Sequence, residues 1–174
     1  MNSDFKRVSD TDILCMVADK NPAAWEHLYT KYGAAMFTIV HKLANDDVIA
    51  EKIFMDAFVE LHEKKILANV TNGLCILLLR YTHGFTTMQL KSYGMLPTIL
   101  NSLFNYEVIN LLCTTCHTIK EVALQLNSTE AAAMKKLQDE FYLLRNQKGN
   151  ADTVCKANKP MELLYPDYLN NPNN

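Results

Sequence analysis

The feature that most constrains the fold of this chain is the spacing of its apolar residues. They recur every three to four positions almost throughout the 174 residues, and no segment sustains the apolar-polar alternation of a half-buried strand. With 49% hydrophobic and 21% charged residues, the chain has the composition of a globular protein. We therefore expect an all-α fold.

In the first half of the chain, polar residues mark the starts of the predicted helices. Asn21-Pro22 has the pattern of an N-cap followed by the first helical residue, and Asp46-Asp47 places negative charge at the start of the next helix. Asn72-Gly73 then interrupts the pattern before an apolar helix at 74–90. The residues predicted to fill the core of this half are Trp25, Phe54, Phe58 and Leu61.

The second half is predicted to hold three short helices. Helix-breaking residues occupy 92–97, and Pro97 suits the first turn of a helix that runs past position 112. Thr118 and Glu121 have the spacing of a capping box, and a last helix is expected from Thr129 to about Arg145. Three helices joined by short turns are the plan of a helix-turn-helix domain. Its predicted core residues are Val108, Leu112, Val122, Leu126, Leu137 and Leu144.

These boundaries predict two small helical domains, at 1–91 and 101–146, joined by a linker at 92–100. Residues 147–174 are rich in Asn, Lys and Pro and are predicted to form a polar, largely disordered tail. An apolar island at 161–169 either docks on the domains or on a partner, or is simply a tail with a few apolar residues.

Charge and hydropathy limit the classes of function. The formal net charge is −2, and residues 1–91 carry ten Lys or Arg against eleven Asp or Glu. Binding to nucleic acid would therefore need a local patch or a partner protein. The longest apolar run, 74–79, is too short to cross a bilayer, and the N-terminus does not resemble a signal peptide. We expect a cytoplasmic protein without membrane insertion.

Five cysteines, an odd number in apolar contexts, indicate reduced thiols rather than disulfides. Cys113, Cys116 and His117 match the spacing of covalent haem attachment, and with Cys155 they would supply the four ligands of a zinc site. We expect no haem, since covalent attachment of this kind happens outside the cytoplasm. We also expect no metal, although a zinc site remains an alternative. No phosphate-binding glycine loop or nucleophile elbow appears, so we expect no cofactor and no enzymatic activity.

The order and spacing of residues in both halves resemble the extracytoplasmic-function sigma factors of bacterial RNA polymerase. Residues 12–65 resemble region 2 of that family, which continues at 71–91 into a helix with a Leu-Arg-basic signature. Residues 101–112 and 121–126 resemble the first two helices of region 4. The resemblance implies a transcription initiation factor that binds core RNA polymerase and promoter DNA, with an anti-sigma factor as a further partner.

The same resemblance assigns roles to particular residues. Polymerase binding is assigned to the helix at 50–61, through Glu51, Met55, Asp56, Phe58 and Glu60. The minus-ten element is assigned to the following helix, through Arg80, His83, Thr87 and Lys91. The minus-thirty-five element is assigned to the last helix, through Thr129, Glu130, Met134, Lys135 and Gln138. Glu51, Asp56 and Glu60 are expected along one helix face, as a contact for a basic partner or as a merely solvated face.

The chain also departs from the family pattern. His62, Gly84 and Asp139 stand where the family often has tryptophan, asparagine and a basic residue. Of the residues of the last helix that would face the major groove, only Lys135 and Gln138 carry groups that read base edges with two hydrogen bonds, and Lys136 lies on a neighbouring face. A second hypothesis is therefore a degenerate sigma-like interaction module, which binds polymerase or a regulator without reading DNA.

Overall fold

The computed structural model describes residues 8–70, 73–97 and 106–146. Within these ranges the chain is helical and contains no strand, so the predicted all-α class is confirmed. A 3-10 turn at Ile66–Asn69 follows the third helix. The α-helices are α1 (Asp10–Ala18), α2 (Ala23–Ala44), α3 (Asp47–Glu63), α4 (Leu74–Ser92), α5 (Glu107–Thr114), α6 (Ile119–Gln125) and α7 (Glu130–Arg145).

Side-chain caps start two helices where the sequence predicts them. Asp46 and Thr129 each accept a hydrogen bond from a backbone N–H in the first turn of α3 and α7, respectively. At α2 the N-cap is Pro22, one residue later than predicted, and Asn21 accepts from the backbone N–H of Ala23. Such caps satisfy backbone donors that have no partner within the helix. The starts of these helices are therefore determined locally.

Two further caps differ from the sequence prediction. The Thr118 hydroxyl accepts from the backbone N–H of Glu121, as in a capping box. The Glu121 carboxylate, however, accepts from the backbone N–H of His117 at 2.6 Å, whereas a capping box would use the backbone N–H of Thr118. A complete capping box instead joins Ser9 and Asp12 at the start of α1. The sequence prediction had not delimited that helix.

The long helix α2 is the centre of the fold, with α1, α3, α4 and α7 packed against it. Aromatic rings join α2 to α3: the centroids of Phe37 and Phe54 are 5.5 Å apart, and those of Tyr29 and Phe58 are 5.6 Å apart. Edge-on contacts of this kind add to the free energy of burial. The predicted core residues Trp25, Phe54, Phe58 and Leu61 are all buried, which confirms this part of the core.

Helices α5, α6 and α7 pack on one another. Five of the six core residues predicted for this half are buried, whereas Leu126 is only partly buried. The helix predicted from Pro97 onward is described only as α5, which begins at Glu107, because residues 98–105 lie outside the described ranges. The tail predicted at 147–174 also lies outside them.

The two halves of the chain meet along α4 with α5 and along α2 with α7. The Thr38 hydroxyl donates to the Leu144 carbonyl oxygen at 3.2 Å, and the rings of Tyr32 and Phe141 have centroids 5.5 Å apart. Buried residues of both halves belong to one hydrophobic cluster. The division into two domains at 92–100 stays a prediction.

Candidate functional site

The outward side of α3 carries the carboxylates predicted to bind polymerase. Glu51 and Glu60 are nine residues apart, about two and a half turns, so they lie on opposite flanks of the helix. The expectation that the three carboxylates share one face is therefore wrong for this pair. Asp56 lies between the flanks, where Lys52 approaches it at 3.9 Å, while Lys64 pairs with Glu60 at 2.9 Å.

Phe58 was predicted to contact the polymerase, and this assignment is wrong in the described structure. Its side chain has no exposed surface, and its ring packs against Tyr29 and Phe54. A side chain in this position stabilises the contact between α2 and α3 and cannot touch a partner. Met55, in contrast, is half-buried on the outward side of α3.

Helix α4 places the four predicted minus-ten residues on one side of the helix, within an arc of about 80°. Lys91 is exposed, whereas Arg80, His83 and Thr87 are half-buried. His83 and Thr87 follow Leu79 by one and two turns, and the Leu79 carbonyl oxygen lies 3.8 Å from the thiol sulfur of α5 residue Cys113. The Nε2 atom of His83 and the Oγ1 atom of Thr87 are buried, so the four side chains do not form one open surface.

Three buried polar atoms in the described part of the chain have no hydrogen-bond partner. They are His83 Nε2 and Thr87 Oγ1 on α4 and Asn110 Oδ1 on α5. A buried polar group without a partner costs about 1–3 kcal/mol. Apolar side chains of the same shape at these three positions would avoid this cost.

Burial also makes His83 a source of pH dependence, because it lowers the pKa of this imidazole below its ordinary value of 6.5. The unfolded chain then binds more protons than the folded chain, so the free energy of unfolding decreases as the pH falls below about 6.5. We expect urea denaturation to show that the free energy of unfolding falls more between pH 7 and pH 5 for the wild type than for His83→Gln. The glutamine side chain does not titrate in this range. Equal losses would mean that His83 is protonated as easily in the folded chain as in the unfolded chain.

Lys52 and Tyr93 form a pair that the sequence prediction missed. The Lys52 ammonium nitrogen is 2.7 Å from the Tyr93 hydroxyl oxygen and 4.9 Å from the centroid of the Tyr93 ring. It therefore lies next to the hydroxyl group and not above either face of the ring. This hydrogen bond raises the pKa of Lys52. Tyr93 is 40% exposed and stands two residues after Lys91.

Helices α6 and α7 are joined by a short turn, as in a helix-turn-helix. The Thr129 hydroxyl is engaged as the N-cap of α7. Ala133, Leu137, Glu140 and Leu144 form the buried side of the helix. The predicted residues Glu130, Met134, Lys135 and Gln138 are exposed together on its outward side.

The charge of this outward side is mixed. Lys136 pairs with Glu107 of α5, and the Arg145 guanidinium donates to the Thr30 carbonyl oxygen at 3.3 Å. Both cations are therefore engaged within the chain, and Lys135 is the remaining lysine of α7. Tyr142, 67% exposed, adds an apolar surface to the same side.

The Cys113-Cys116-His117 segment does not gather its side chains into a metal site. Cys113 faces the Leu79 carbonyl, whereas the buried Cys116 thiol donates to the Gln125 side-chain oxygen at 3.1 Å. Among the described residues, no group of three or more His, Cys, Asp or Glu side chains is placed to hold a metal ion. Cys155, the fourth ligand considered, lies outside the described ranges.

Within the same ranges, no helix is both long enough and apolar enough to cross a membrane. Comparison of the chain with protein-family models, with curated proteins and with solved structures gives no match. The residues and contacts described above are therefore the basis for any assignment of function.

Proposed function

We propose that this protein is a sigma-type transcription initiation factor, which binds core RNA polymerase through α3 and presents α4 and α7 to promoter DNA. The observation that carries the proposal is the α6–turn–α7 arrangement. Thr129 caps α7, and the helix turns Glu130, Met134, Lys135 and Gln138 away from the core. A helix supported from behind, with its N-terminal half exposed, is the element that helix-turn-helix proteins insert in the major groove.

The outward side of α3 supports the polymerase contact. Met55 and Asp56 lie there between Glu51 and Glu60, and an acidic and apolar surface of this kind suits a basic partner with apolar pockets. The weak overall charge of the chain is compatible with this role, since a polymerase-bound factor reads DNA at high effective concentration.

The polymerase contact is tested by reversing charge on α3. We expect Glu51→Lys combined with Asp56→Lys to reduce co-purification with core polymerase by at least about tenfold, because like charges would then oppose each other at the contact. Glu26→Lys, on the exposed first turn of α2, is the matched control and should bind as the wild type does. Circular dichroism checks that helix content is unchanged. Full recovery of polymerase with the α3 variant would refute the assignment of this surface.

A second candidate function is a sigma-like interaction module that does not read DNA. The observation that favours it is the apolar character of the exposed surface of α6 and α7. Large apolar side chains on this surface outnumber the lysine and arginine side chains that are not engaged within the chain. These side chains are Leu124, Met134, Tyr142 and Leu143. Exposed apolar residues of this size are typical of protein contacts rather than of DNA contacts.

DNA reading by α7 separates the two candidates. We expect Lys135→Ala with Gln138→Ala to reduce reporter output about tenfold at promoters that have an upstream element, because each base contact contributes about 1–3 kcal/mol. Promoters without that element should lose little output. Unchanged output at every promoter would leave α7 as a scaffold and favour the interaction module.

A further inference from the structure

One side of α7 is not covered by any helix of the described structure. We call it the α7 outer face. Its five residues neighbour one another along the helix and are all exposed, and they are Ala131, Met134, Lys135, Gln138 and Tyr142. Three of the five are apolar or aromatic, and Tyr142 is 67% exposed. An exposed apolar surface of this kind is typical of a contact with another segment of protein.

The α7 outer face carries few charges. Lys135 is its one charged residue, and Glu130 and Asp139 flank the face on either side. One cation between two carboxylates attracts a polyanion only weakly. The face therefore suits an occupant whose own side chains are mostly apolar.

The sequence of this chain contains such an occupant beyond the last helix. The chain continues for 28 residues after Asn146, and we call residues 161–169 the tail segment. Six of its nine side chains are apolar or aromatic, namely Met161, Leu163, Leu164, Tyr165, Tyr168 and Leu169. Its two carboxylates are those of Glu162 and Asp167. Covering these apolar side chains with protein contributes about 25 cal/mol for each Å² that is removed from water.

The length of the connection favours a contact with α7 itself. Fourteen residues, 147–160, join the last described residue to the tail segment. A random-coil chain of that length has a root-mean-square end-to-end distance of about 20 Å. Gln138, near the middle of the outer face, lies only about 12 Å along the helix from Asn146. A connection whose length suits the distance in this way gives an effective concentration of about 1 mM.

We propose that the tail segment docks on the α7 outer face of the same chain, where it covers Met134 and Tyr142 and pairs one carboxylate with Lys135. The outward side of α3 is a poorer site, because Glu51 and Asp56 would repel both carboxylates of the segment. The inference goes beyond the proposed function and does not rest on it, since the contact forms within one chain. A docked segment and a bound major groove would, however, exclude each other at this face.

The test follows the methyl signals of two methionines by NMR in the full-length chain. Met134 reports on the α7 outer face, and Met88, which is 54% exposed on α4, reports on another exposed apolar surface. Leu163→Ser combined with Leu164→Ser should move the Met134 signal, because the apolar cover is lost, and should leave the Met88 signal in place. Val154→Ser, in the connection, is the matched control and should move neither signal.

A synthetic peptide of residues 159–171 measures the strength of the same contact. It should bind the Leu163→Ser, Leu164→Ser chain at least about tenfold more tightly than the wild type, whose own segment already occupies the face. Equal affinity for the two chains would overturn the inference.

The methyl signals give further outcomes that count against it. A Met134 signal that stays in place shows that the segment does not dock on α7, and a Met88 signal that moves shows that it docks elsewhere. A Met134 shift that disappears on dilution assigns the segment to a second copy of the chain. Each of these results overturns the inference. All the readouts work without polymerase or DNA, so they decide it whether or not run-off transcription supports the proposed function.

Discussion

Replacing Phe58 with alanine is expected to lower the free energy of unfolding by about 3–5 kcal/mol. The Phe58 side chain has no exposed surface, and its ring lies 5.1 Å from that of Phe54 and 5.6 Å from that of Tyr29, between centroids. Truncation removes these contacts and leaves a cavity that neighbouring rings fill only in part. Urea denaturation followed by circular dichroism measures the loss.

Val48→Ala is the matched control for this prediction, since Val48 lies on the same helix and is 78% exposed. It should change the free energy of unfolding by less than about 0.5 kcal/mol. A loss below about 1 kcal/mol for Phe58→Ala would contradict the packing of α3 on α2.

The second large effect is expected at Glu140, whose side chain is only 5% exposed. Its two carboxylate oxygens accept from Val108 N and Ile109 N, donors in the first turn of α5 that have no partner within their own helix. Glu140→Ala leaves both donors buried and unpaired, so we expect a loss of about 3 kcal/mol in the free energy of unfolding. The amides of α5 should also exchange faster, because its N-terminal cap is gone.

Two further variants separate capping from simple loss of charge. Glu140→Gln keeps one acceptor oxygen and should recover about half of the loss. Asp139→Ala removes an exposed carboxylate one residue earlier and should change stability by less than about 0.5 kcal/mol. Equal losses for Glu140→Ala and Asp139→Ala would show that the carboxylate acts through overall charge and does not cap α5.

Helix starts and apolar stripes could be predicted because they depend on nearby residues. Asp46 and Thr129 cap helices through hydrogen bonds that reach three residues along the chain, and the burial of Leu61 and Leu137 follows from helical periodicity. The burial of Glu140 could also have been predicted from the sequence. Glu140 lies three residues after Leu137 and four before Leu144, on the buried stripe, where a carboxylate needs a partner.

Contacts between distant residues could not be predicted from one sequence. The contact of the Cys113 thiol with the Leu79 carbonyl oxygen joins positions 34 residues apart, and the Lys52–Tyr93 pair joins positions that are 41 residues apart. The assignment of Phe58 to a polymerase contact came from the family resemblance and failed, although the apolar periodicity predicts Phe58 in the core, where it packs on rings of α2 and α3. Family resemblance suggests which helix meets a partner, but packing decides which of its side chains remain exposed.

Run-off transcription with purified core polymerase and genomic DNA fragments tests the central claim most directly. If the protein is a sigma-type initiation factor, transcripts with defined start points will appear only when it is added, and the Glu51→Lys, Asp56→Lys variant will not support them. Absence of any transcript that depends on the protein, in a reaction where it demonstrably binds the polymerase, would contradict promoter recognition and leave the interaction module.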